Sequence, residues 1–193
     1  MFLTWVLIGM PEMPSLPWLQ PTRPPKDAVV LRDYRQSLLD RDVSFVKSDT
    51  GELYRNWENG LYTIDTPRSQ AAMGWMGGKS IELSNTRFQL DTVNATVAVQ
   101  SLDDKPISGS EKILISLGSN SVPYKDLKGR SRIPFLSQPI TGHIRIEAQK
   151  GLRVYSIDNL GMKIELPGIF DQGWYGIDLG EAINSHWLML EKS

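Results

Sequence analysis

Hydrolysis of a glycosidic bond needs two carboxyl groups, one to protonate the leaving oxygen and one to act as nucleophile or base. Asp49, Glu52, Glu58 and Asp65 are the acidic residues that could be considered for such a pair. Each has a simpler reading. Ser48-Asp49-Thr50-Gly51 has the composition of an Asx or ST turn in which Gly51 supplies a positive φ. Glu58-Asn59-Gly60 reads as a hairpin connection, Asn-Gly giving the two positive φ values of a type I′ turn. Ser, His and Asp all occur, yet there is no G-x-S-x-G elbow, and neither His143 nor His186 has a motif around it. No catalytic residue is assigned on these grounds. The chain has no cysteine, which removes disulfides, zinc-thiolate sites, iron-sulfur clusters and thiol catalysis together. Asp103-Asp104 and Asp158-Asn159 could offer oxygens to Ca²⁺ but lack the spacing of an EF-hand loop, so they read as turns. No cofactor or metal site is expected.

Binding chemistry is better supplied. Trp and Tyr stack on the apolar face of a pyranose while neighbouring polar groups take its hydroxyls. Trp57, Trp75, Trp174 and Tyr175 lie beside glycines or turns, where rings can reach the surface, and Tyr54 and Tyr62 flank the Asn-Gly turn. Arg68 could pair with Asp65, either to fix a strand crossing, the favoured reading, or to grip vicinal hydroxyls of a sugar. For each of these aromatics a place in a packed core is at least as good an account, and Trp187, among apolar neighbours, reads as core. Nucleic acid is not an expected partner. The net charge is −1, and the densest basic stretch, Lys125 to Arg132, has its four cations spread among Gly, Ser and Asp; binding phosphate backbones needs a basic excess.

The elements that must hold these groups are strands. Val93, Ala95, Val97 and Val99 alternate with polar or small residues, and Ile113, Ile115 and Leu117 repeat the habit after the polar stretch SLDDKPISGSE. Ile140, Ile144, Ile146 and Ala148 share one face of a further strand, leaving Thr141, His143, Arg145 and Glu147 on the other. Turn signals recur at Lys150-Gly151, Asn159 to Gly161, Pro167-Gly168 and Gln172-Gly173, with no amphipathic helix of useful length between them. Such spacing predicts an all-β antiparallel sandwich or jelly roll of about ten to twelve strands. One short helix is expected within Asp27 to Asp42, around RDYRQSLLDRD.

Six prolines in residues 11–25 exclude helix and central strand there. Residues 1–26 therefore read as an apolar and Pro-rich connector, and 27–193 as the β-sandwich domain. The apolar run Phe2 to Met10 is nine residues long, against the roughly 20 needed to span a bilayer. No membrane partner is expected, and the run reads as an edge strand or the remnant of an upstream domain, with a degenerate targeting segment as the lesser alternative.

Four blocks in order carry a resemblance: Ser48 to Gly78 (SDTGELYRNWENGLYTIDTPRSQAAMGWMGG), Val97 to Ser116, Ile133 to Gly142 (IPFLSQPITG) and Ser185 to Glu191 (SHWLMLE). Together they are similar to the region that follows the catalytic (β/α)8 barrel in bacterial cellulase-type glycoside hydrolases, and Pro17-Trp18-Leu19 resembles the connector leading out of that barrel. The resemblance implies an Ig-like or jelly-roll C-terminal accessory domain with no catalytic residue of its own. It implies a polysaccharide or oligosaccharide as ligand, a glycoside hydrolase catalytic domain as possible neighbour, and an extracellular or periplasmic setting. Two other readings stand beside it: a purely structural domain that packs on a catalytic barrel, and a free-standing jelly-roll hydrolase using carboxylates such as Asp49 or Glu52.

Overall fold

A computed structural model describes residues 43–126, 128–180, 183 and 185–192 of the 193-residue chain, all within one unit, Asp42–Ser193. The expected connector over 1–26 and the short helix expected within 27–42 lie outside the described residues. Sixteen strands are described. The first eight are β1 (Phe45–Lys47), β2 (Leu53–Asn56), β3 (Leu61–Asp65), β4 (Ser69–Trp75), β5 (Ser80–Glu82), β6 (Thr86–Leu90), β7 (Asn94–Ser101) and β8 (Lys112–Ser119). The second eight are β9 (Ser121–Lys125), β10 (Ser131–Ser137), β11 (Gly142–Glu147), β12 (Leu152–Ile157), β13 (Lys163–Leu166), β14 (Ile169–Asp171), β15 (Trp174–Leu179) and β16 (Trp187–Lys192). The count exceeds the ten to twelve expected from pattern because β1, β5 and β14 have three residues each, too few to display alternation.

All pairings are antiparallel, and the fold is all-β, of sandwich type. A nine-stranded sheet runs in the order β1-β2-β3-β4-β7-β8-β16-β12-β13, and a five-stranded sheet in the order β14-β15-β11-β6-β5. β9 and β10 form a separate two-stranded ribbon. The core lies between the two larger sheets. The larger sheet contributes Ala72, Ala95, Val97, Val99, Ile113, Ile115, Leu117, Leu152, Val154, Leu188 and Leu190; the smaller contributes Ile81, Phe88, Leu90, Ile144, Ile146, Tyr175, Ile177 and Leu179. In β7, β8, β6 and β11 these alternate strictly with solvent-facing residues, because successive side chains of a strand point to opposite faces. Val93, expected to continue the β7 stripe, is instead 56% exposed, since it precedes the strand and its carbonyl accepts the Met76 and Gly77 amides.

Polar ties join the sheets where apolar contact stops. The buried Tyr175 hydroxyl accepts the Leu152 amide at 2.8 Å, linking β15 to β12. Gln70, fully buried on β4, accepts the Asn85 amide at 3.1 Å, and the Asn85 side-chain amide donates to Glu147 at 2.9 Å on β11. The β7–β8 connection, expected to be a polar turn, also serves the core: a 3-10 turn over Ile107–Gly109 inserts Ile107, which is fully buried and donates its amide to Pro67 at 2.8 Å.

Local expectations divide. Ser48 to Gly51 is a turn, with Gly51 at φ +77°, its amide 2.9 Å from the Ser48 carbonyl, and the Thr50 amide donating to Asp49. Asn59-Gly60 does not make a two-residue type I′ hairpin. Asn56 and Leu61 close a four-residue loop, residues 57–60, in which Gly60 alone has positive φ. Trp187, read as core, is 46% exposed: its neighbours Leu188 and Leu190 take the inner face, so the indole falls on the outer one.

Candidate functional site

The smaller sheet buries one face and shows the other to solvent, and register aligns the outward residues into cross-strand rows. One row is Ser80, Gln89, His143 and Asp178; the next is Glu82, Arg87, Arg145, Gly176 and Ile169; a third is Glu147, Trp174 and Asp171. β11 lies in the middle of this face, between β6 and β15. The sequence folds this way because β6 (TRFQL) and β11 (GHIRIE) each give every second position to the core, leaving Arg87, Gln89, His143 and Arg145 no choice but the outside.

Contacts between the rows fix the polar groups. His143 Nδ1 lies 2.7 Å from an Asp178 carboxylate oxygen; because a carboxylate only accepts, Nδ1 carries the proton and Nε2 of the neutral ring is an acceptor. Gly176 makes room for this ring, since a Cβ there would stand 3.2 Å from His143 Cε1. Beside the pair is a shallow depression of about 390 Å³, lined by Gln89, Asp91, Gly142, His143, Asp178 and Leu179. Gly142 is demanded by the close approach of β11 to β6: φ is +131°, and a Cβ would meet Leu90 Cα at 2.5 Å. In the neighbouring rows the Trp174 indole lies under two guanidinium groups, Arg87 at 4.6 Å and Arg145 at 5.5 Å from the ring centroid. Such contacts contribute about 0.5–2 kcal/mol and hold the ring plane.

The residues singled out from sequence do not form one site. Trp174 is on this face, half-buried. Tyr175, expected to reach the surface with it, is 3% exposed: it is the next residue of β15 and so points the opposite way, into the core against Phe170. The other aromatics belong to the far edge of the larger sheet. Tyr54 shares the core-side face with Asn56, whose side-chain amide donates to its hydroxyl, whereas Tyr62 and Trp75 are on the outer face. Trp57 is 38% exposed in the β2–β3 loop, and Trp75 packs over Gly60, where a Cβ would lie 2.0 Å from the ring. The Arg68–Asp65 pair does not form. Arg68 reaches Asp104 at 2.5 Å, while Asp65 accepts the Ser84 amide and hydroxyl across to the β5–β6 turn.

Of the carboxylates considered, Asp49 accepts the Thr50 amide and Asp65 the Ser84 amide, and both candidate cation clusters have an aspartate engaged within its own loop. Asp158 accepts the Leu160 and Met162 amides. Asp103 accepts the hydroxyls of Ser110 and Ser101 and the Glu111 amide, at 2.7, 3.0 and 2.7 Å, a set of donors and not a cage of oxygens for a cation. Among the described residues no group of three or more His, Asp or Glu is placed to hold a metal ion. His143 and Arg145 were visible from sequence as the polar side of a strand. Arg87, Gln89 and Asp178 were missed, although the alternation of TRFQL carries the same signal for the first two. Comparison with protein-family models, curated proteins and solved structures finds no match to this chain.

Proposed function

We propose that this domain is a non-catalytic, carbohydrate-binding module of a polysaccharide-processing protein, and that the glycan lies across the outer face of the smaller sheet. The observation that carries this reading is the co-projection of Trp174, Arg87, Arg145, Gln89, His143 and Asp178 from one sheet face whose reverse side is wholly core. The Trp174 ring orders the guanidinium groups of Arg87 and Arg145 that lie over it, and these with the adjacent donors and acceptors can take hydroxyls without rearrangement. The order of the four sequence blocks supports the same setting, beside a glycoside hydrolase. Titration calorimetry of the full chain against soluble β-glucan, xylan, mannan and polygalacturonate tests it. Trp174→Ala is expected to weaken binding at least about ten-fold, on the order of 1.4 kcal/mol, and Trp57→Ala to leave it unchanged. Loss of binding in Trp57→Ala alone, or no binding to any glycan, sinks the reading.

A second reading, a domain that buttresses a neighbouring catalytic domain, is favoured by the β9–β10 ribbon. Val122, Tyr124 and Leu136 are 58%, 47% and 54% exposed on one face of a ribbon that joins neither sheet, with Phe135, 62% exposed, on the other. Clustered apolar exposure of this kind marks surfaces that meet another protein.

A further inference from the structure

The outer face of the smaller sheet has an electrostatic feature that a neutral sugar would not use. Arg145 stands directly opposite Arg87 in the ladder, and like charges so placed destabilise an antiparallel pair. On its other side Arg145 faces Gly176, which offers no side chain. Of the nearby carboxylates, Glu147 accepts from Asn85 and Asp178 binds His143, while Asp171 stands exposed opposite Trp174 in the next row. Glu82 approaches only Arg87, at 3.9 Å, and Arg145 has no carboxylate partner among the described residues. Trp174 offsets part of the repulsion through its ring face, but an indole supplies no hydrogen-bond acceptor to the guanidinium donors.

We propose that Arg87 and Arg145 receive the carboxylate of a uronic-acid residue, which makes the ligand of this face an acidic polysaccharide. This inference rests on the glycan-binding reading above. A carboxylate presents two oxygens to the planar fork of a guanidinium, and charge-assisted bonds of this geometry are about twice as strong as neutral ones. With the carboxylate on these two side chains, the next sugar reaches the row of Gln89, His143 and Asp178, about 7 Å along the strands.

The test uses the full chain in titration calorimetry with polygalacturonate, alginate and glucuronoxylan, the methyl ester of polygalacturonate, a neutral β-glucan and dextran sulfate. Thermal melts confirm that each variant is folded. The expected result is binding to at least one of the three uronate polymers. Arg145→Gln and Arg87→Gln should each weaken it by about ten-fold, with only partial recovery in Arg145→Lys, which keeps the charge and loses the fork. If polygalacturonate binds, esterification should weaken it comparably. Neutral glucan bound as tightly as the uronates, lost in Trp174→Ala and untouched in both Gln variants, overturns the acidic assignment and leaves the glycan reading standing. Dextran sulfate bound more tightly than any uronate polymer, with Arg145→Lys indistinguishable from wild type, overturns the carboxylate in favour of general anion attraction. Failure to bind any of these polymers overturns the acidic assignment, and failure with xylan and mannan as well overturns the glycan reading.

Discussion

Trp174 and Tyr175 are consecutive in β15 and have opposite fates, because one step along a strand exchanges one face of the sheet for the other. The indole is outside, under two guanidinium groups; the phenol is inside, with its hydroxyl accepting the Leu152 amide. Tyr175→Phe keeps the ring's packing and leaves that amide unpaired in a dry interior. It is expected to lower stability by about 1–3 kcal/mol, the cost of stranding a buried donor. Urea denaturation measures the loss, and unchanged affinity for any bound glycan would separate this residue from its neighbour. A large loss of affinity with no loss of stability would contradict its assignment to the core.

At the scale of an element, the β7–β8 connection shows how a polar loop becomes structure. Ile107 plugs the end of the core, and Asp103 gathers the loop around its carboxylate. Its pKa is lowered from 3.8 to about 2, first by the Ser110 hydroxyl, against desolvation, which comes second and opposes it, with the Glu111 amide, the Ser101 hydroxyl and the charge of Lys105 lowering it further. A carboxyl whose folded pKa is depressed contributes stability that is complete above its unfolded pKa and is lost as the pH falls through the folded value. Asp103→Asn should therefore be less stable than wild type at neutral pH, with the difference shrinking between about pH 4 and about pH 2. Denaturant midpoints across that range check the sign; a difference that grew on acidification would show that Asp103 is not held as the ion.

Over the whole molecule, stability depends on two sheets meeting across residues far apart in sequence. β4 pairs with β7 across an excursion, β5 and β6, into the other sheet, and the last strand, β16, inserts between β8 and β12. Phe88, fully buried on β6, is among the largest wholly enclosed side chains of this interface. Phe88→Ala is expected to cost about 3–5 kcal/mol through lost transfer energy and the cavity left behind. That is a large share of the roughly 5–15 kcal/mol available to a domain. Because both sheets share the one core, tertiary and secondary signals should be lost together on heating, and separate transitions in near- and far-ultraviolet dichroism would argue against a single cooperative unit.

The fold class was legible in the residues because alternation is a local property: TVAV, KILISL and HIRIEA each declare a half-buried strand without reference to any other segment. So was the Ser48–Gly51 turn, where side-chain oxygens and one glycine act within a few positions. Partnership was not legible. Arg68 had Asp65 near it in sequence and found Asp104 in space, while Trp57, Trp75, Tyr54 and Tyr62, clustered in the chain, were divided between loop and opposite sheet faces. The face that carries the candidate site exists only because β6, β11 and β15 lie side by side, three strands separated by long stretches of chain. Sequence by itself determined that His143 and Arg145 must point away from the core. Only the tertiary structure set Arg87, Trp174 and Asp178 beside them, because strand order follows from how the two sheets close over their shared interior and not from any local preference of the chain.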